Sequence, residues 1–281
     1  MAASAVSDLR TFRMPNGQQV FGLNENDSLM VYRDIFDDDC YRQHGVTIKD
    51  GDCILDIGAN TGLFILFLNQ ICTEARVFAF EPLPATFRAL QRNVETLNKL
   101  SVQLFNVGLS DQSGSADFVY YPRLTNASTM YPDDPARTAQ QGRDYVLTQI
   151  DTLPWPHCRI AHWLPSVIQN LIADQIAKHY LKHESVRCEL WTLADFLRRH
   201  DIERIDLLKL DAEHAEQPIL AGLDESDWPK IRQIVVEVHG GPEADEAMVA
   251  LLGRRGFRTA VERNPALPSL ALVYATRPAS G

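Results

Sequence analysis

The sequence predicts an α/β fold, in which helices cover both faces of a Rossmann-like, mostly parallel sheet of seven strands. Three observations support this prediction. A short apolar strand is followed by a glycine-rich turn and an apolar helix between residues 53 and 72. A second apolar strand ends in the acidic residue Glu81. Strands and helices then alternate along most of the chain, as in successive βα units.

The glycine-rich turn at residues 58–62 is the centre of this prediction. It follows the apolar run 54–57, which suits a strand buried on both faces. Glycine lets backbone approach a ligand closely, and the start of the next helix offers free N–H groups. The residues predicted to contact a cofactor here are Asp56, Gly58, Asn60 and Gly62.

The tip of the second strand favours a nucleoside ligand. Glu81 lies 25 positions after Asp56, and an acid at this place in doubly wound sheets accepts hydrogen bonds from ribose hydroxyls. A dinucleotide site uses the spacing G-x-G-x-x-G, whereas this turn has Gly58-x-x-x-Gly62 with an acid before it. The pattern therefore favours S-adenosylmethionine, a cationic nucleoside without phosphates, over a nicotinamide cofactor.

Composition limits the class of protein. The 281 residues are 45% hydrophobic and 23% charged, which is ordinary for a globular chain and allows one large domain. The net charge of −10 disfavours a nucleic-acid partner. No apolar run is long enough for a bilayer, and residues 1–6 lack the features of a secretory signal, so we expect a cytoplasmic protein without membrane contact. The five cysteines form no C-x-x-C pair, as expected of a reduced protein.

Residues 1–50 are predicted to form a hairpin and a covering helix. Two short strands flank a Pro-Asn-Gly turn at residues 15–17. A helix capped at residues 27–28 then carries apolar side chains at helical spacing as far as Phe36. It covers an edge of the sheet, and Tyr32 is a candidate to lie over the cofactor.

Residues 51–121 form the predicted cofactor-binding half. Its strands are expected at residues 54–58, 76–81, 102–109 and 116–121, and its helices at 62–72 and 84–97. The turn at residues 106–111 lies where an adenine ring would stack. Leu109 and Ser110 are therefore the predicted adenine neighbours, although a plain strand end would look the same.

Residues 122–185 interrupt the βα alternation. Five prolines break this segment, and helices are legible at residues 136–150 and 167–183. An insertion of this size usually serves as a lid or a substrate-binding wall. The second half, residues 186–281, then supplies strands at 186–190, 205–210, 231–239, 257–261 and 270–275, with helices beginning near 192, after 213 and at 243.

With these elements in place, the chain resembles the FkbM family of S-adenosylmethionine-dependent O-methyltransferases. The likeness is carried by residues 51–62 (GDCILDIGANTG), 80–82 (FEP), 106–114 (NVGLSDQSG), 206–213 (DLLKLDAE) and 235–239 (VVEVH). Residues 126–132 and 228–239 resemble the branch that acts in polyketide and nonribosomal-peptide pathways. One departure is His214, which follows Glu213 where the family commonly has glycine.

The resemblance implies a class I methyltransferase sheet and transfer of a methyl group to a hydroxyl of a small secondary metabolite. The acceptor is expected to be a free small molecule or one bound to a carrier protein. The residues leave two rivals open: a nicotinamide oxidoreductase, and a cofactor-binding partner module without catalysis. The pattern does not determine the oligomeric state.

Strand periodicity predicts where the catalytic groups meet. Glu237 and His239 lie on one face of their strand, and Lys209 and Asp211 on one face of the neighbouring strand. We therefore expect Asp211, Glu237 and His239 near one crevice. His239 is the predicted general base, because imidazole titrates nearest neutrality, and Glu237 would orient it. The alternative is a Glu-x-His pair that only bonds neighbouring loops.

His214, helped by Glu213, is the competing base, unless it only marks a solvated helix start. Asp211 is expected to contact the amino-acid end of the cofactor or the acceptor hydroxyl, or else to cap the next helix. His179 and His183 have the spacing of a helical metal pair but no third ligand. Asp211, Glu213 and His214 around Mg²⁺ are a minor alternative, so the sequence predicts no metal.

Overall fold

The computed structural model describes residues 9–132, 143, 165–263 and 269–277. Its strands are β1 (Arg10–Arg13), β2 (Gln19–Gly22), β3 (Asp52–Ile57), β4 (Ala75–Phe80), β5 (Ser101–Phe105), β6 (Gly108–Leu109), β7 (Gly114–Tyr120), β8 (Glu184–Trp191), β9 (Leu207–Leu210), β10 (Gln233–His239), β11 (Arg258–Arg263) and β12 (Leu270–Thr276). Its α-helices are α1 (Glu25–Tyr32), α2 (Leu63–Ile71), α3 (Pro84–Leu97), α4 (Ser166–Tyr180), α5 (Leu193–Arg199), α6 (Glu216–Ala221) and α7 (Pro242–Arg254).

Seven strands form the main sheet, in the order β11-β12-β10-β9-β3-β4-β5. Strands β3, β4, β5, β9 and β10 run parallel, and β12 runs antiparallel to both of its neighbours. This confirms the predicted mostly parallel, Rossmann-like sheet and its closing pair. Strand β3 lies between β9 and β4. The carboxyl ends of β4, β3, β9 and β10 meet at one edge, where such sheets bind ligands.

Side chains of β3 point alternately into two apolar cores, one on each face of the sheet. Leu55 and Ile57 belong to the core that packs on α5, α6 and α7. Ile54 belongs to the core formed with α2, α3 and the hairpin. Helix α2 is apolar on every side, and Leu63–Leu68 are each at most 5% exposed. Both faces of the parallel strands are therefore covered, as their near-continuous apolar sequence predicts.

The single strand predicted over residues 102–109 is wrong. The chain turns at Asn106, whose side-chain amide donates hydrogen bonds to the carbonyl oxygens of Glu81 at 2.8 Å and Pro82 at 3.0 Å. Strand β6 therefore leaves the main sheet and joins a three-stranded sheet in the order β6-β8-β7. The predicted pairing of the strand near residue 186 with the strand near 116 is confirmed.

The first helix begins earlier than predicted. Asn24, rather than Asp27 or Ser28, is its cap and accepts the N–H groups of Asn26 and Asp27. Asp27 instead accepts hydrogen bonds from the N–H of Thr125 at 2.7 Å and from its hydroxyl at 3.0 Å. This carboxylate ties α1 to the start of the segment that interrupts the βα alternation.

The remaining element predictions fall into three groups. The hairpin and the helix over Pro84–Leu97 are confirmed, and a helix is present at Ser166–Tyr180. The predicted helix at 136–150 lies outside the described residues, apart from residue 143.

Within the part that the structure describes, no helix combines the length and the apolar character needed to cross a bilayer. Cys40, Cys53, Cys72 and Cys188 are free thiols.

Candidate active site

A cavity of about 730 Å³ opens at the carboxyl edge of the sheet. This volume is in the range of sites that enclose a drug-sized ligand. Gly58 and Asn60 of the glycine turn and Glu81 from the tip of β4 line one part of it. Asp211 and Glu237, at the ends of β9 and β10, line another. The structure thus brings the predicted cofactor turn and two of the predicted catalytic residues to one space.

The glycine turn allows backbone to approach backbone. Gly58 has φ +75°, and a Cβ at this position would lie 1.7 Å from the carbonyl oxygen of Asp211. The N–H groups of Gly58 and Ala59 donate to the carbonyl of Phe80 at 3.1 and 2.9 Å, which fixes the turn against the end of β4. Only glycine meets both the conformation and the space at residue 58.

Gly62 lies where the glycine turn meets α3. It has φ +86° and precedes α2, and a Cβ there would lie 2.7 Å from Cδ1 of Leu90 on α3. Gly62 is not one of the described residues that line the cavity. It allows α2 to pack closely against α3, and so supports the turn without facing the ligand space.

Glu81 points into the glycine turn. Its Oε2 accepts the N–H of Asn60 at 3.1 Å, and its Oε1 accepts the N–H of Leu83 at 3.0 Å. Burial raises the pKa of this carboxyl to about 7, although the two hydrogen bonds oppose the rise. The side-chain amide of Asn60 donates to Oδ1 of Asn126 at 2.8 Å. The two strand tips therefore form one concave surface that carries an acceptor group.

Asp56 lies beneath the turn and not at its mouth. It is fully buried, and its Oδ1 lies 3.0 Å from Nζ of Lys209. Lys209 also donates to the carbonyl of Gly58 at 3.1 Å. Burial lowers the pKa of Lys209, but Asp56 and Asp211 outweigh burial and raise it. The predicted contact of Asp56 with the cofactor is not what this geometry supports, because the carboxylate is absent from the described cavity lining.

Of the predicted adenine neighbours and Tyr32, some line the cavity and others do not. Leu109 lines the cavity, whereas Ser110 does not; its N–H donates to the carbonyl of Trp191 at 3.0 Å. Tyr32 stacks on Phe36, with ring centroids 4.4 Å apart, inside the apolar core, and it is absent from the described lining. Tyr41, by contrast, lines the cavity.

Tyr41 follows a π-helical turn, Arg33–Asp37, that ends the first helix. Its hydroxyl lies 3.4 Å from Oδ2 of Asp211, to which it donates a hydrogen bond, and its ring lies beneath Nζ of Lys209 at 5.3 Å. Burial raises the pKa of Tyr41 well above its usual value, with the charge of Asp211 acting in the same direction. This residue is therefore a neutral donor on the cavity wall.

His239 lies among three carboxylates. Its Nε2 is 3.2 Å from Oε2 of Glu213 and 3.5 Å from Oε1 of Glu237, and its Nδ1 is 3.5 Å from Oε1 of Glu216. Burial lowers the pKa of His239, but the bonds to Glu213 and Glu216 and the charges of Glu213 and Glu237 outweigh it and raise the pKa to about 12. The surrounding carboxylates therefore favour the protonated form of the imidazole.

Glu213 and Glu237 line the cavity, and His239 lies behind them. Glu213 has φ +47°, and this left-handed backbone turns its side chain back towards β10. One ligand atom from each of Glu213, Glu237 and His239 lies within 4.8 Å of the other two. We call these three residues the Glu-Glu-His cluster. Its geometry fits a metal ion, which the sequence did not predict.

His214 and Asp211 differ in whether they face the cavity. The N–H of His214 donates to Oε1 of Glu216, and its ring centroid lies 4.8 Å from that of His239. His214 is absent from the described cavity lining. Asp211 lines the cavity, and the N-cap position of α6 is Ala215, so Asp211 does not cap that helix.

Sequence reasoning missed four residues of this region: Lys209 as a site residue, Tyr41, Asn126 and Glu216. One signal was available, because Lys209 interrupts the apolar strand Leu-Leu-Lys-Leu and a buried ammonium requires a counter-charge. Tyr41 and Asn126 have no local pattern, since each reaches the site from a segment distant in sequence.

Residues 56–259 match the family model described as the methyltransferase FkbM domain. The chain is 32% identical over 262 residues to 31-O-demethyl-FK506 methyltransferase FkbM of Streptomyces tacrolimicus, which covers 92% of each chain. It is 35% identical over 274 residues to AMB antimetabolite synthetase AmbE of Pseudomonas aeruginosa, and this match covers 94% of the chain but 12% of that longer protein.

Among solved structures, Aeropyrum pernix fibrillarin with bound S-adenosyl-L-methionine is similar at a TM-score of 0.43 and 14% identity, over 98% of this chain and 85% of fibrillarin. The family assignment does not depend on that structure, because the family model spans most of the chain. The chain belongs to the FkbM family and is an S-adenosylmethionine-dependent methyltransferase.

Proposed function

We propose that this enzyme methylates a hydroxyl oxygen of a small secondary metabolite, either free or attached to a carrier protein. The observation that carries the proposal is a single cavity lined by the glycine turn, by Glu81 and by the carboxylates of Asp211, Glu213 and Glu237. The names of two relatives support it, one a methyltransferase for demethyl-FK506 and the other an antimetabolite synthetase.

When bound, S-adenosylmethionine supplies an electrophilic methyl group on a sulfonium. Glu81 would accept hydrogen bonds from the ribose hydroxyls, and Leu109 would pack on the adenine ring. Gly58 allows the turn to lie directly against the carbonyl of Asp211 at the end of β9. These contacts would direct the methyl group towards Asp211 and the carboxylates beyond it. In-line displacement requires the acceptor oxygen about 3 Å from the methyl carbon.

We assign the role of general base to Asp211. It lines the cavity, and its own carbonyl meets Gly58, so its backbone is fixed against the cofactor turn. Tyr41 and Lys209 hold its Oδ2 from the other side, at 3.4 and 3.8 Å. Both ring nitrogens of His239 face carboxylates, and its ring lies behind the cavity wall, which favours a positioning role for that residue.

The segment 122–185 is proposed as the wall that selects the acceptor. Thr125, Asn126 and Ser128 line the cavity. The hydroxyl of Thr129 donates to the carbonyl of Glu213. These contacts connect the start of the segment to both ends of the site, so that its side chains would meet the acceptor.

The first test measures formation of S-adenosylhomocysteine with hydroxylated polyketides and peptides, offered free and as pantetheine thioesters. Mass spectrometry of the product would locate the new methyl group. Transfer to oxygen supports the proposal, and transfer only to nitrogen or carbon contradicts it. Cofactor binding without transfer to any acceptor would favour the non-catalytic partner module. The nicotinamide alternative is not retained, because the family is one of methyltransferases.

The second test concerns the base. Asp211→Asn should lower kcat by a hundredfold or more, since general-base catalysis contributes about 10²–10⁴, while cofactor affinity stays nearly constant. Asp38→Asn removes a different carboxylate from the cavity wall and is the matched control. If Asp211→Asn keeps its rate while His239→Ala loses a hundredfold, imidazole is the base, as the sequence predicted. If both variants keep their rates, His214 is the remaining candidate.

A further inference from the structure

We infer that Glu213, Glu237 and His239, the Glu-Glu-His cluster, bind a divalent metal ion that holds the acceptor hydroxyl. The inference rests on the proposed function for its chemical purpose. It stands on three observations: the spacing of the ligand atoms, the carboxylate behind the imidazole, and the balance of charge in the cavity.

The spacing of the ligand atoms fits one face of an octahedron. Nε2 of His239 lies 3.2 Å from Oε2 of Glu213 and 3.5 Å from Oε1 of Glu237. Metal–ligand distances of about 2.1 Å at right angles place neighbouring ligand atoms roughly 3 Å apart. The ligand atoms of the two glutamates lie within 4.8 Å of each other, so an inward movement of the carboxylates would bring all three atoms to bonding distance.

The second observation is Glu216, which lies behind the imidazole. Its side chain is 6% exposed, and its Oε1 lies 3.5 Å from Nδ1 of His239. That ring nitrogen is buried, and the carboxylate of Glu216 lies at the limit of hydrogen-bond distance from it. Histidine ligands of metals usually donate the N–H that does not face the metal to a carboxylate or carbonyl. Glu216 is in place for that role, held by the N–H groups of Ala212 and His214.

Charge balance is the third observation. The cavity lining includes the carboxylates of Asp34, Asp37, Asp38, Glu81, Asp211, Glu213, Glu237 and Glu262. In the described lining the basic side chains are Lys209 and Arg263, and each already has a carboxylate partner behind the wall, Asp56 and Asp245. The cavity therefore gathers more carboxyl groups than basic side chains, and a bound cation would stabilise their charged forms.

The ligand set indicates the class of metal. Two carboxylates and one imidazole on one face leave positions open for water or an acceptor oxygen, and carboxylate-rich octahedral sites suit Mg²⁺ and Mn²⁺. An acceptor hydroxyl bound there would have a lower pKa. Its proton would pass to Asp211, the O–C bond would form as the S–C bond breaks, and neutral S-adenosylhomocysteine would leave.

The test is calorimetric titration of the chelator-treated full-length protein with Mn²⁺ alone. We expect one Mn²⁺ per chain, and we expect Glu213→Gln and Glu237→Gln each to weaken binding at least tenfold. Glu216→Gln should weaken it less. Asp38→Asn, which removes a cavity carboxylate outside the cluster, should bind Mn²⁺ as the native chain does. Retained affinity for S-adenosylhomocysteine in every variant would show that the fold is intact.

Absence of Mn²⁺ binding at millimolar concentration, or binding that is equal in the native chain and the cluster variants, would overturn the inference. Binding of an alkylammonium ion in place of Mn²⁺ would overturn it too, and would assign the negative charge to a cationic acceptor. The proposed function fails separately: Mn²⁺ bound by the cluster with no hydroxyl methylated supports the metal site and contradicts O-methylation. Hydroxyl methylation that persists in the presence of chelator, together with no Mn²⁺ binding, supports O-methylation and contradicts the metal site.

Discussion

Replacing Glu81 by glutamine tests the cofactor site through two independent measurements. The substitution keeps the shape of the side chain and removes its charge. Glu81 is 6% exposed, and burial raises its pKa from 4.5 to about 7. Because the pKa of an acid is raised in the folded state, its favourable contribution to stability is present below pH 4.5 and is lost as the pH rises through 7.

The size of that loss follows from the pKa values. At 1.36 kcal/mol for each pKa unit, ionising Glu81 in the folded protein costs about 3 kcal/mol by pH 8. Glutamine does not ionise. The free energy of unfolding of Glu81→Gln, relative to the native chain, should therefore rise by up to about 3 kcal/mol between pH 5 and pH 8. Urea denaturation of both proteins at the two pH values measures this difference.

Cofactor affinity should change in the opposite direction. A hydrogen bond to a charged group contributes about 1.5–3 kcal/mol, so Glu81→Gln should weaken S-adenosylmethionine binding about tenfold to a hundredfold at pH 8. The native chain should bind more tightly at pH 8 than at pH 6, because the carboxylate ionises between them, and the variant should lose this dependence. Calorimetry at both pH values measures the ratio of the two affinities, native chain to variant. Titration of the ligand itself affects both proteins equally and cancels in this ratio.

Glu262→Gln is the matched control for this experiment. Glu262 also lines the cavity, but it lies on β11 and faces His44 and Tyr274. Its replacement should change cofactor affinity by no more than about twofold. Unchanged affinity in Glu81→Gln would refute the assignment of Glu81 to the ribose. A stability difference that does not vary with pH would refute the role of burial.

Two further predictions concern the support beneath the site, and urea denaturation measures both. Gly58→Ala should destabilise the fold by more than about 2 kcal/mol, because its Cβ would meet the carbonyl of Asp211. Gly51→Ala is the control, because φ is also positive there but the space is open. This control should cost about 1 kcal/mol. Equal losses in the two variants would contradict the close approach. Lys209→Met should cost about 3–5 kcal/mol by leaving Asp56 buried without a counter-charge, and adding Asp56→Leu should recover most of it. A double variant as unstable as Lys209→Met would contradict the pairing.

The central sheet was predictable because its signals are local. An apolar run, a glycine turn and an apolar helix follow one another within about twenty residues, and the acid at the tip of β4 lies one βα unit further along the chain. Gly58 and Glu81 consequently have their expected places. Asn106 shows where local signals fail: the apolar pattern continues through it, but its side chain bonds the carbonyls of Glu81 and Pro82 and ends the strand.

The helix at the N-terminal edge shows a second limit. Helical spacing identified an apolar face that contains Tyr32, and that face packs into the core as the pattern indicates. Which aromatic side chain reaches the cavity depends on the π-helical turn at Arg33–Asp37 and on the path of the chain after it. Spacing does not encode that path, so Tyr41 was missed.

By itself, the sequence determined the parallel sheet, the glycine turn and the acid that faces it, because strand order and turn chemistry depend on residues close together in the chain. The tertiary structure decided how charges are paired. Asp56 lies against Lys209, and Glu213, Glu237 and His239 meet although they come from a loop and from a separate strand. Burial, and not residue type, then determines which of these groups carry charge and which can face a ligand. Burial depends on what packs above each side chain, and no stretch of sequence contains that information.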